Sequence, residues 1–129
     1  MAYGGYSLGG LAAIYSLYFD ETFSTIFSVC GSFWYPGFAD YVVNNNVKNR
    51  NAAVYLLNGE QEGVNHGNLL EQAPVKAHMV HEHLMSVMNA VSIFDEYGHH
   101  ENKSERINRL LSVLTGMEGS LSLIHISEP

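Results

Sequence analysis

Apolar and polar positions alternate along the chain in blocks whose length and period predict strands and helices in turn. Short, continuous apolar runs bounded by turn residues indicate strands, and apolar residues at three- and four-residue spacing indicate helices. In chain order the pattern predicts a strand end at 2–4, a helix over 8–18, a strand over 23–29, a loop or lid over 34–46, a strand over 52–57, a helix opening at Pro74, a strand over 91–94, and a last helix marked by Ile107, Leu110, Leu111 and Leu114. Strands alternating with helices predict an α/β fold, with one parallel sheet covered by helices.

Two of these elements are expected to form the centre of that sheet and its cover. The run Ala52–Leu57 is apolar throughout and ends at Asn58-Gly59, as is typical of a strand buried on both faces. The helix after Pro74 is expected to cover the sheet through an apolar stripe. That stripe comprises Val75, Met79, Val80, Leu84, Val87 and Met88.

The two ends of the sequence differ from the rest. Residues 121–129 resemble a sequencing adapter translated in frame, so we assign them to a non-native tail and exclude them from the fold. Residues 1–120 are then a partial domain in which the first strands are missing, because only Ala2, Tyr3 and Gly4 precede the first motif. The strand edge near Ala2 is expected to be unpaired and to invite self-association. Localisation stays open, with a slight preference for the cytoplasm, since the true N-terminus is expected to lie upstream.

Composition narrows the classes of partner. A 47% hydrophobic content is enough for a packed core, and the formal net charge is -7 with no basic cluster, so nucleic acid is not expected to bind. The longest apolar runs fall short of the roughly 20 residues that cross a membrane, and we expect a soluble chain. The single cysteine, Cys30, is expected to be a small buried side chain.

The motif Gly5-Tyr6-Ser7-Leu8-Gly9 carries the clearest chemistry. A serine hydroxyl becomes a useful nucleophile when a base removes its proton and a tight turn presents it with little bulk nearby. A strand end before the motif and an apolar helix after it fit the strand-turn-helix arrangement of a nucleophilic serine. The backbone N-H of Leu8 would then point at a developing oxyanion. The alternative is a glycine-rich turn whose serine only caps the helix.

A general base is expected after the strand over 91–94. His99 follows Gly98 and would lie at the same sheet edge as Ser7, and we prefer it to the adjacent His100 because Gly98 lets its ring turn inward. The alternative is that both histidines are exposed loop residues.

An acid that orients the base should follow the strand over 52–57. We choose Glu62 because it reaches further along the loop, while Glu60 is nearly as plausible and Asp95 is a more remote candidate. Either glutamate could equally be a solvated surface charge.

Histidines are frequent enough to raise a metal site as an alternative. In His81-Glu82-His83 the spacing is wrong for a helical zinc motif, because Met85 stands where the second histidine would be. His78 and His81 share a face, but two ligands rarely make a site. We therefore expect no metal and no cofactor, and interpret these histidines as helix surface.

The motifs together resemble the esterase family that includes enterochelin-type esterases and esterase D. The resemblance runs through Gly5–Gly10, Cys30–Trp34, Gly59–Glu62 and Gly98–His100. It implies the C-terminal portion of an α/β-hydrolase fold and hydrolysis of a small-molecule carboxyl ester through an acyl-enzyme.

This resemblance also implies roles for single residues. Ser7 would be the nucleophile, His99 the general base and Glu62 the acid, although some members act with a Ser-His pair alone. Trp34 would line the substrate site, and its alternative is a core or lid aromatic. The family's amino-terminal half, with its other oxyanion donor, has no counterpart in this sequence. We therefore expect an active parent enzyme and a weak or inert chain.

Two other functions remain open at the level of sequence. An acyl-enzyme on Ser7 could be resolved by an alcohol instead of water, which would make the protein an acyltransferase of the same fold. A noncatalytic hydrolase-like module that only binds is the alternative outside the enzyme class.

Overall fold

Five strands in one parallel sheet, with helices between them, form the described part of the chain. The computed structural model describes residues 1–62, 72–96, 104–108, 110 and 124–127. The elements are β1 Ala2–Tyr6, α1 Leu8–Ser16, β2 Thr25–Val29, α2 Phe38–Asn44, β3 Ala53–Gly59, α3 Ala73–Val87, β4 Ala90–Asp95 and β5 Ile124–Ser127, and residues 104–108 are also helical. The strand order is β4-β3-β2-β1-β5, and each neighbouring pair is parallel. The predicted α/β class is confirmed.

Strand register gathers the ends of the central strands at one edge of the sheet. Tyr6 at the end of β1 pairs with Val29 of β2, and Val29 pairs with Leu57 of β3. Ser7, Cys30 and Asn58, the next residues along the three strands, therefore emerge side by side.

β3 is buried on both faces, as its apolar run predicts. Val54 and Leu56 join the core formed with α1, α2 and α3, whereas Tyr55 and Leu57 join a smaller core on the opposite face of the sheet. Because successive strand side chains point to opposite faces, an unbroken apolar run serves a strand that has cover on both sides.

The loop or lid predicted over 34–46 is wrong in its second half, where α2 forms. Phe38, Ala39 and Val42 are buried in the larger core, and their spacing of one and four residues places them on one side of a short helix. Three adjacent asparagines, of which Asn44 is the last residue of α2, obscured the helical pattern.

The apolar stripe predicted for α3 is wrong in part. Val80 and Leu84 are buried as expected, but Val75 is 63% exposed and His81 is only 1% exposed. Val75 lies about 140° around the helix from Val80, since each residue turns the helix by about 100°. The buried face instead includes Ala77, which continues the spacing of Val80, His81 and Leu84 toward the start of the helix. The prediction that His81 belongs to the helix surface is therefore also wrong.

The edge of β1 is paired, contrary to expectation. Residues 2–6 form a five-residue strand instead of a strand end, and Ala2 and Gly5 pair with Ile124 and Ser127 of β5. The tail excluded from the fold thus contributes a strand, because a short stretch with β-branched residues satisfies backbone groups that β1 would otherwise leave open.

Within the described ranges, no helix has the length and apolar character needed to cross a membrane.

Candidate active site

Ser7 lies on a sharp turn between β1 and α1. Its backbone has φ 62° and ψ -118°, a positive-φ conformation that glycine adopts readily and other residues rarely do. Such a residue costs about 1 to 3 kcal/mol and persists only where its surroundings hold it. The side chain is 8% exposed at the carboxyl edge of the sheet.

Three backbone hydrogen bonds hold this strained turn. The Ser7 N-H donates to the Val29 carbonyl at 3.0 Å, and the Ser7 carbonyl accepts from the N-H groups of Leu11 and Ser32, each at 3.1 Å. The serine is thereby tied to the end of β2, to its own helix and to the loop after β2.

Gly10 lets α1 pack closely against β2. A Cβ atom at position 10 would lie 2.5 Å from Ser28 Oγ and 3.0 Å from the Cα atom of Gly31. Because Gly31 Cα belongs to the backbone, that contact cannot be relieved by rotating a side chain. The glycine following the serine motif therefore sets the distance between the helix and the sheet.

Ser32 is a neighbour of Ser7 that was not among the predicted site residues. Its Oγ lies 3.2 Å from Ser7 Oγ, and its side chain is 1% exposed. A signal for Ser32 was present in the sequence, because Cys30-Gly31-Ser32 is a run of small residues directly after β2. The pairing of β2 with β1 was needed to show that this run lies beside Ser7.

The N-terminus of α1 faces the same edge. The helix begins at Leu8, so the Leu8 N-H is one of the first-turn amides that have no acceptor within the helix. The first turn contains no acidic side chain. A negative charge forming beside Ser7 would thus meet backbone donors and the positive end of the helix dipole.

Glu62 and Glu60, the two candidate acids, lie in different environments. Glu62 is 4% exposed, and its Oε2 accepts hydrogen bonds from the Gly59 N-H at 2.7 Å and from Asn58 Nδ2 at 3.1 Å. The Glu60 side chain is 46% exposed and pairs with His78 Nε2 at 2.6 Å. Glu62 is therefore held in the interior at the carboxyl end of β3, and Glu60 faces solvent.

A chain of hydrogen-bonded polar side chains, buried except for the half-buried Ser92, extends from Glu62 to β4. Asn58 Oδ1 lies 2.7 Å from His81 Nε2, and His81 Nδ1 lies 2.7 Å from Ser92 Oγ. Burial, with a smaller contribution from the charge of His78, lowers the pKa of His81 to about 3. No local sequence pattern indicates this chain, because its members come from β3, the loop after it, α3 and β4.

Beneath the sheet edge, Asp95 and Arg106 form a buried ion pair. Arg106 Nε donates to Asp95 Oδ2 at 2.7 Å, with 2% and 5% of the side chains exposed. This bond gives Asp95 a structural partner of its own.

Tyr6 and Cys30 are buried near Glu62 and Arg106. Burial, followed by the nearby Cys30, raises the pKa of Tyr6 to about 12. Burial and then the negative charge of Glu62 raise the pKa of the Cys30 thiol. The thiol is therefore protonated at neutral pH.

The predicted bases, His99 and His100, and the predicted substrate contact, Trp34, stay predictions. His99 and His100 lie outside the described residues, so their positions relative to Ser7 stay predictions. Trp34 is half-buried two residues beyond Ser32, with its ring 6.4 Å from that of Tyr35.

In the ranges that the structure describes, no three His, Cys, Asp or Glu side chains converge on a point where they could hold a metal ion.

A parallel sheet with helices between its strands, and a serine on a sharp strand-to-helix turn, match part of an α/β-hydrolase-like fold. Among solved structures, the chain is similar to siderophore hydrolase EstA from Aspergillus nidulans, with a TM-score of 0.59 and 15% sequence identity. The match covers 90% of this chain and 47% of that one, so the chain spans about half the length of this neighbour. At this identity the likeness concerns the fold alone. No family model matches the chain, and no curated protein matches its sequence.

Proposed function

We propose that the protein is a serine hydrolase acting on carboxyl esters, with Ser7 as its nucleophile. The observation that carries the proposal is the strained backbone of Ser7, which holds the serine between the end of β1 and the start of α1. Strain of this kind concentrates at functional positions, because a structure that needs only a turn has unstrained ways to make one.

In the proposed reaction, His99 removes the Ser7 proton as Oγ attacks the ester carbonyl. The tetrahedral oxyanion accepts a hydrogen bond from the Leu8 N-H, a contact worth about 3 to 4 kcal/mol in the transition state. The protonated histidine then gives its proton to the departing alcohol, which leaves an acyl-enzyme. Water activated by the same base releases the acid and restores Ser7.

Glu62 is the proposed acid that orients the histidine. Its burial and its bonds to Gly59 and Asn58 support this role, because an orienting carboxylate must be fixed before it can fix another side chain. Glu60 is less suitable, since it is solvent-exposed and paired with His78.

Siderophore hydrolase EstA, which has a similar fold, is itself a hydrolase, and this supports hydrolysis as the reaction type. Trp34 is the proposed substrate contact, because it is half-buried close in sequence to Ser32, the neighbour of Ser7.

The test is labelling of the purified 129-residue chain with a fluorophosphonate, which reacts with activated serines. Ser7→Ala should abolish labelling, while Ser86→Ala, which makes the same change at an exposed position on α3, should leave it intact. Hydrolysis of p-nitrophenyl acetate is expected to be slow and to depend on Ser7. A chain that is not labelled, or a Ser7→Ala variant labelled as fast as the wild type, would contradict the proposal and favour a noncatalytic binding module.

A further inference from the structure

The buried hydrogen bonds around Asn58 have a single consistent direction. Asn58 Nδ2 lies 3.1 Å from Glu62 Oε2 and 3.2 Å from the Gly31 carbonyl oxygen. A carboxylate and a carbonyl only accept hydrogen bonds, so the amide nitrogen faces them and Oδ1 points toward His81. The orientation of this amide follows from its partners.

The same reasoning assigns the proton on His81. Asn58 Oδ1 only accepts, so His81 Nε2 carries the hydrogen, and the unprotonated Nδ1 accepts from the Ser92 hydroxyl. The lowered pKa keeps the ring neutral at physiological pH. All three hydrogen bonds therefore donate in the same direction. Ser92 donates to His81, His81 donates to Asn58, and Asn58 donates to Glu62.

Aromatic packing keeps the His81 ring in place. Phe94 lies 4.3 Å away between ring centroids, and Phe33 lies 6.2 Å away in an edge arrangement. Together with 1% exposure, these contacts leave the imidazole little room to change rotamer.

We propose that Asn58 is a positioning residue for Glu62, and that His81 keeps the Asn58 amide turned so that it donates to the carboxylate. With the amide reversed, Oδ1 would face the Glu62 oxygens, and two acceptors would repel each other. This inference rests on the proposed function, in which Glu62 orients the base.

The Asn58 side-chain amide also connects Glu62 to the loop that contacts Ser7. Gly31, whose carbonyl accepts from Asn58, immediately precedes Ser32, and Ser32 contacts Ser7. Asn58 therefore fixes the acid relative to the loop that touches the nucleophile. A shift of about 1 Å in such a relationship can lower a rate about 100-fold.

The experiment measures fluorophosphonate labelling of the 129-residue chain and separates the maximal rate, kinact, from the probe's half-saturating concentration, KI. Asn58→Leu should lower kinact about 10- to 100-fold with KI unchanged, because the probe's binding surface is intact while the orientation of the base is lost. His81→Leu should lower kinact in the same way.

His81→Gln is the rescue variant, since the glutamine amide can still donate to Asn58 Oδ1, and it should restore most of kinact. His83→Leu makes the same imidazole-to-leucine change on α3 outside the hydrogen-bond chain and should leave kinact unchanged. Thermal unfolding of every variant identifies those that do not fold. If Asn58→Leu does not fold, the positioning role is tested by comparing kinact of His81→Leu with kinact of His81→Gln.

Each outcome points to a different conclusion. Labelling of the Leu variants at the wild-type kinact would overturn the positioning role and leave the proposed function standing. A His81→Gln variant as slow as His81→Leu would remove His81 from the proposal. Absence of labelling at Ser7 in the wild-type chain would instead overturn the proposed function, and this inference with it.

Discussion

Ser7 Oγ and Ser32 Oγ lie 3.2 Å apart at the carboxyl edge of the sheet, and both side chains are buried. The two hydroxyls come from the ends of adjacent parallel strands, and the Ser32 N-H also donates to the Ser7 carbonyl. Ser32 thus contacts both the backbone and the reactive atom of the proposed nucleophile.

Ser32→Ala should slow fluorophosphonate labelling of Ser7 by about 2- to 10-fold, because one hydrogen bond that holds the Ser7 hydroxyl is lost, at about 0.5 to 1.5 kcal/mol. The backbone bond between the two residues remains, so the fold should be retained. Ser24→Ala, an exposed serine at the opposite end of β2, is the matched control. Labelling at the wild-type rate in Ser32→Ala would show that Ser32 does not hold the nucleophile.

The strain at Ser7 predicts an order of stability between two variants. Ser7→Gly should be more stable than Ser7→Ala by about 1 kcal/mol, because glycine tolerates φ 62° and ψ -118°, whereas alanine keeps the strain. Urea unfolding of both variants measures the difference. Equal stability, or a more stable alanine variant, would mean that the turn is not strained.

The close approach of α1 to β2 at Gly10 predicts that substitutions at Gly10 and Ser28 have coupled effects on stability. Gly10→Ala should destabilise the chain by about 1 to 3 kcal/mol, because the added methyl group would overlap Ser28 Oγ. Ser28→Ala alone should be neutral or stabilising, since Ser28 Oγ is buried with no hydrogen-bond partner among the described residues.

The double variant tests that contact directly. Ser28→Ala should recover part of the stability lost in Gly10→Ala, but not all of it, because the contact with Gly31 Cα remains. Free energies of unfolding for the four chains give the coupling between the two sites. Strictly additive effects would contradict the proposed overlap.

His81 predicts a loss of stability on mild acidification. Its pKa falls from 6.5 to about 3 on folding, so below pH 6.5 the unfolded chain binds a proton that the folded chain does not. Stability from the neutral ring is fully present above pH 6.5 and is lost as the pH falls toward 3, with a slope of up to about 1.4 kcal/mol per pH unit.

The measurement compares urea unfolding of the wild type, His81→Gln and His83→Gln between pH 7.5 and pH 4. Removing His81 should flatten the pH dependence of stability, and His83→Gln, which makes the same change at a half-buried position on α3, is the matched control. Parallel curves for the wild type and His81→Gln would show that His81 titrates normally in the folded chain.

The features that the sequence alone determined are those that depend on local patterns of residues. The alternation of strands and helices, the double burial of β3 and the serine turn between β1 and α1 each depend on residues within one or two elements. The spacing of apolar residues and the residues that favour turns can be recognised within so short a stretch of sequence. Local patterns failed where polar residues masked helical spacing, as in α2.

Tertiary structure alone decided which side chains surround Ser7 and Glu62. Ser32 reaches Ser7 because β2 pairs with β1, and Asn58 lies between Glu62 and His81 because β3, α3 and β4 pack together. His81 resembles a surface histidine in sequence, but it is buried because the helix turns that face to the sheet. The physical reason is that parallel strands bring distant residues to one edge, and their register is a property of the assembled sheet.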